Sequence, residues 1–158
     1  MNQEKANKIY RINGLYQECE SIYHQVALHF HMSDSSLKIL YTIYVNDGKC
    51  LLYDIYSASG ISKQTVNSAI RKLEKEELIY LENFNKKSKI VNFTEKGSEY
   101  AQKTVAPLFK AECNAFEDWS ERDFKLYLLL IEKHNVSLRK QIDQLCQEEQ
   151  HESNNTIK

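Results

Sequence analysis

Apolar residues recur along this chain with helical spacing at both ends, and the pattern changes once, near the middle. Over residues 5–31, Ile9, Ile12, Tyr16, Cys19, Tyr23, Val26 and Phe30 are spaced alternately by three and four, which predicts one long helix with a heptad seam. Gly14 weakens that helix by roughly 1 kcal/mol relative to Ala and marks a bend or a close contact. Ser33 is the expected N-cap of a second helix, about 34–46, whose Leu37, Leu40, Tyr41 and Tyr44 share a face. Asn46-Asp47-Gly48 is a turn signal. Residues 49–52 are too short for more than a single bridge of strand, and a short helix over about 53–59 closes at Gly60, where the missing Cβ permits the left-handed backbone of a tight turn.

Residues 61–75 change the picture. Ser62 is placed to cap a helix in which Val66, Ile70 and Leu73 form the buried face. The opposite face carries Lys63, Gln64, Thr65, Asn67, Ser68, Arg71 and Lys72, amides, hydroxyls and cations of the kind that read base edges and phosphates. Alone, such a helix could equally be an ordinary amphipathic surface helix. Following a short helix and a Gly turn, it completes a helix-turn-helix. Next, 78–84 and 89–94 are rich in β-branched and aromatic residues around the polar tip Asn85-Lys86-Lys87-Ser88, and predict a β-hairpin. A hairpin with cationic Lys86, Lys87 and Lys89 directly after a recognition-type helix is a wing that can reach the phosphate backbone. The plainer reading is that these lysines keep an exposed edge soluble and unpaired.

Thr94 caps a fifth helix through about 117, which Pro107 should kink by removing one donor. Ser120 and Asp123 resemble a capping box opening a last long helix. Its seam is Phe124, Leu128, Ile131, Asn135, Leu138, Ile142 and Leu145, and the tail 147–158 is expected to be disordered for want of apolar residues. Two seamed terminal helices need a surface to cover them, and a second copy of the chain is the natural one. Ile9, Ile12 and Tyr16, with Phe124, Leu128, Ile131, Asn135, Leu138 and Ile142, are the expected dimer contacts, the single amide of Asn135 selecting partner number and alignment.

Composition then adds three constraints. At 158 residues the chain fits one domain with long helical extensions. Its net charge of −1 conceals a split: residues 62–96 hold eight Lys/Arg against five Asp/Glu, a local +3 that leaves −4 for the remainder. This suits contact with a polyanion through one small face. No run of apolar residues is long enough for a membrane span and the N-terminus resembles no secretory signal, so a cytoplasmic protein is expected. Cys19, Cys50, Cys113 and Cys146 have no metal or disulfide spacing and are read as reduced thiols, Cys19 packed and inert on its seam.

No catalytic or cofactor-binding motif is present: neither a G-x-S-x-G elbow, a P-loop, an H-E-x-x-H nor a Gly-rich dinucleotide loop. No enzyme activity, cofactor or metal is expected. His24 and His29 stand five apart, about 500° around a helix, and do not share a face.

The order of elements, with Gly60-Ile-Ser-Lys-Gln-Thr-Val-Asn-Ser-Ala-Ile-Arg-Lys-Leu-Glu74 and Phe93-Thr-Glu-Lys-Gly97, resembles the MarR family of bacterial transcription regulators over about residues 8–145. The resemblance implies a mainly α fold with a small β-hairpin wing, a winged helix-turn-helix core at 33–96 and dimerisation helices at 5–31 and 98–146, within a single domain 1–146. It further implies a homodimer on pseudo-palindromic double-stranded DNA, probed through Ser62 to Lys72 and the wing, commonly as a repressor released by a small ligand or by oxidation. A winged-helix module that binds protein is the alternative. Two departures stand out. The family's Asp-x-Arg element near the wing tip is replaced by a shorter Asn85-Lys86-Lys87-Ser88-Lys89, and Glu77 stands where Gly is common. Gln64, Asn67 and Arg71 suit bidentate contacts to adenine or guanine.

Overall fold

The computed structural model describes residues 2–85 and 88–155, the side chains of 149–155 excepted. The chain divides into two units, Met1–Ala111 and Glu112–Lys158.

In the first unit the elements follow the order α1 (Gln3–His29), α2 (Asp34–Val45), β1 (Lys49–Leu51), α3 (Leu52–Ser59), α4 (Lys63–Lys75), β2 (Ile79–Asn83), β3 (Lys89–Phe93) and α5 (Glu95–Ala115), the end of α5 entering the second unit. The sheet is antiparallel with order β1-β3-β2. Residues 49–51 are therefore a strand rather than a bridge: Lys49, Cys50 and Leu51 pair with Asn92, Val91 and Ile90. A strand this short is stabilised by the neighbour it closes against, which local propensity cannot reveal. α1 runs through Gly14, and a Cβ there would meet nothing within 4 Å, so no close contact explains this glycine.

The core joins α2, α3, α4, α5 and the sheet through Ile39, Leu40, Ile43, Ile55, Val66, Leu73, Val91 and Val105, all fully buried. Each such side chain stabilises the fold by roughly 1.5–3 kcal/mol through lost apolar exposure. A smaller cluster of Ala27, Leu37 and Leu108 ties α1 and α5 to α2.

Three helices of this unit end alike. His31, Asp47 and Glu77 have φ of 54°, 56° and 59°, and the next residue's N–H returns to a carbonyl five residues back: Met32 to Ala27, Gly48 to Ile43, Leu78 to Leu73. These are Schellman endings built on non-glycine residues. α3 instead has glycine at that left-handed position, Gly60 at φ 64°.

The second unit contains α6 (Glu121–Asn155). Ser120 caps it, accepting the Asp123 N–H at 3.2 Å while its hydroxyl donates to the Asp123 carboxylate at 2.5 Å. Phe116, Trp119, Phe124 and Tyr127 pack edge-on and tilted, centroids 4.9–6.2 Å apart. The helix continues through 147–155, where composition alone predicts disorder; 156–158 lie outside the described residues. Among the described residues no helix is long and apolar enough to cross a membrane.

Candidate nucleic-acid interface

α4 is amphipathic in the sense the spacing predicts. Val66, Ala69, Ile70 and Leu73 are buried, whereas Lys63, Gln64, Thr65, Asn67, Ser68, Arg71 and Lys72 are all exposed. Ser62 is its N-cap: the hydroxyl accepts the Thr65 N–H at 3.1 Å and meets the Thr65 hydroxyl at 2.9 Å.

The C-terminal end of α4 is held by the segment leaving the wing. Thr94 donates its hydroxyl to the Glu77 carbonyl at 2.6 Å and accepts the Gly97 N–H at 2.9 Å, so one side chain closes α4 and opens α5. Lys96 Nζ donates to the Glu76 carbonyl at 2.7 Å, a helix-end carbonyl otherwise short of donors. Gly97 lies so close to the backbone of Leu78 that a Cβ would stand 1.7 Å from its carbonyl oxygen. The Thr-Glu-Lys-Gly sequence is thus a clamp that fixes the direction of α4.

Not every polar side chain of α4 is equally available. Ser68 donates its hydroxyl to the Gln64 carbonyl at 3.0 Å, and Lys72 lies 3.9 Å from Glu76. Gln64 and Arg71 have no side-chain partner among the described residues. Asn67 departs from the expectation of a free carboxamide: its Oδ1 accepts from the Tyr56 hydroxyl at 2.7 Å, and Lys63 Nζ sits 5.6 Å from the centroid of the same ring. Tyr56 is a residue that spacing misses, because the contact crosses the Gly60 turn between α3 and α4.

The wing is β2 and β3 in register from Ile79↔Phe93 to Asn83↔Lys89. The N–H groups of Phe84 and Asn85 both donate to the Ser88 carbonyl. Lys89 is exposed, while Lys86 and Lys87 lie outside the described residues.

The expected dimer residues are exposed in the single chain: Ile9, Ile12, Tyr16, Phe124, Leu128, Leu138 and Ile142 each keep between 38 % and 48 % of their surface, Asn135 is exposed and Ile131 half-buried. Cys19 is exposed rather than packed, because α1 turns most of that seam away from the core. The buried thiol is Cys50, pushed up to about 11 by burial and, less, by Asp54. His24 Nδ1 meets the Asp34 carboxylate at 2.9 Å, and no His/Cys/Asp/Glu group among the described residues could hold a metal.

The MarR family model matches residues 32–82, which span α2 through β2. That stretch, 51 of the chain's 158 residues, is similar to the MarR family. No curated protein matches the sequence. Among solved structures, NMB1585, a MarR family regulator from Neisseria meningitidis, superposes with a TM-score of 0.74 at 18% identity, covering 91% of this chain and 99% of its own. The S. aureus MepR–DNA complex gives 0.62 at 20%, covering 82% and 96%. Bordetella bronchiseptica BpsR, whose DNA binding is regulated by 6-hydroxynicotinic acid, gives 0.58 at 15%, covering 79% and 98%. At these identities the likeness is one of fold.

Proposed function

We propose that this chain is a regulator of the MarR family and acts in the cytoplasm as a homodimeric, sequence-specific repressor. α4 of each subunit would enter the major groove of one half of a pseudo-palindromic operator. The observation that carries this is the outer face of α4: seven polar and cationic side chains on a helix whose inner face is fully packed and whose two ends are both fixed. A protein-docking face would need exposed aromatic anchors, and 63–72 has none. That MepR, of the same fold, has been captured on DNA supports the assignment.

Lys89, with Lys86 and Lys87, acts on phosphates as point charges and not as a base-reading fork. A small-molecule effector belongs to the same proposal, by analogy with the regulation of BpsR. A groove of about 560 Å³ edged by Tyr44, Phe93 and Phe109 is the candidate place for it.

Recovery and sequencing of genomic fragments retained by the purified protein tests the reading, followed by a salt titration on the best fragment. A recurrent inverted repeat and an affinity that falls steeply with salt are expected. Retained fragments without a common sequence would overturn it.

A further inference from the structure

Gln64, Asn67 and Arg71 stand at i, i+3 and i+7 and so share one stripe of α4. An asparagine in such a stripe ordinarily offers both an acceptor and a donor, the pair that matches the N6 and N7 edge of adenine. Here the acceptor is engaged. The Tyr56 hydroxyl on α3 donates to Asn67 Oδ1 at 2.7 Å, while Nδ2 has no partner among the described residues. Tyr56 is itself held: its ring is half-buried against the core and Lys63 Nζ lies 5.6 Å from its centroid.

Resting on the DNA-reading role of α4, we propose that Tyr56 is a specificity-determining residue, which takes one of the two acceptor positions of the Asn67 carbonyl and so fixes the carboxamide with Nδ2 as the group offered to the bases. A donor offered there selects thymine, through O4, or guanine, through O6 and N7, over adenine, whose N7 stands beside an amino group. It selects against the amino groups that adenine and cytosine present in the major groove. Tyr56 touches no base in this scheme and acts through Asn67 alone. Its removal should therefore change which base is preferred, with little change in non-specific binding.

The test is selection from a randomised duplex library with the full-length protein and its Asn67→Ala, Tyr56→Phe and Asn67→Asp variants. Asn67→Ala identifies the half-site position that relaxes. At that position the native protein should take thymine or guanine. Tyr56→Phe keeps the ring beneath Lys63 but frees the carboxamide, and should shift the ratio of adenine to thymine or guanine by roughly tenfold toward adenine. Asn67→Asp, which has only acceptors, should turn the preference to adenine or cytosine with Tyr56 in place. If the native protein already takes adenine there, or Tyr56→Phe leaves the preference unchanged, the inference falls while the DNA-reading function stands. If Asn67→Ala relaxes no position in a protein that still selects an operator, Asn67 reads no base and the inference likewise falls. Only a native protein that selects no sequence would bring down both.

Discussion

Gly97, Glu77 and Cys50 each show a single residue whose identity follows from its immediate surroundings. A methyl group at position 97 would be driven into the Leu78 carbonyl, a backbone atom that cannot swing aside. Gly97→Ala should destabilise the fold by about 3 kcal/mol, the upper end of overpacking costs, in urea unfolding. Glu77 is the reverse case, a left-handed residue with a Cβ at φ 59°. Relief of that strain, less the extra freedom of glycine in the unfolded chain, should make Glu77→Gly more stable by roughly 0.5–1 kcal/mol. The exposed contact to Lys96 at 3.5 Å offsets little of this. Cys50 supplies a pH dependence. Its folded pKa, about 11, exceeds the ordinary 9.0, so the unfolded chain loses the proton first. The stability present below pH 9 is lost as pH rises toward 11, by about 2–3 kcal/mol. Tyr100, raised by burial and by Glu76, acts in the same direction. Cys50→Ala should flatten the alkaline limb of a stability profile measured by urea unfolding.

At the scale of elements, the helices were legible because each writes its buried face and cap into a short window. Ser33, Ser62 and Ser120 accept the N–H groups of Ser36, Thr65 and Asp123, as their places before apolar runs predict. What stayed hidden depends on partners distant in sequence. β1 exists because β3, some forty residues on, pairs with it, and Cys19 is exposed because α1 packs only near its end. The face of α4 was legible, but the engagement of Asn67 by Tyr56 was not. Gln64 and Arg71, whose side chains have no partner among the described residues, should be the strongest readers on that face. Alanine at either should cost about 1–3 kcal/mol on the operator and far less on random DNA, in competition binding assays. Replacement of Lys86, Lys87 and Lys89 should instead weaken all sequences alike and reduce the salt slope by about one unit per lost phosphate contact.

At the scale of the whole molecule, α1 and α6 each carry a row of exposed apolar side chains among the described residues. The heptad spacing made them legible, but spacing alone cannot say which copy's helix covers which, since an apolar seam carries no address. The proposed dimer gives the seams a partner and sets two copies of α4 roughly 34 Å apart, one turn of DNA. Truncation after residue 120 should therefore abolish the dimer in sedimentation, and Asn135→Leu should keep or raise association while loosening its stoichiometry. Reading of two half-sites by a dimer is tested by the ratio of affinities for the selected inverted repeat and for the same duplex with one half-site scrambled, at physiological salt. Two chains per duplex are expected, with a loss of at least about 10³ on scrambling, the low end for specific recognition. Equal affinity for the two duplexes, or one chain bound to each, would contradict it.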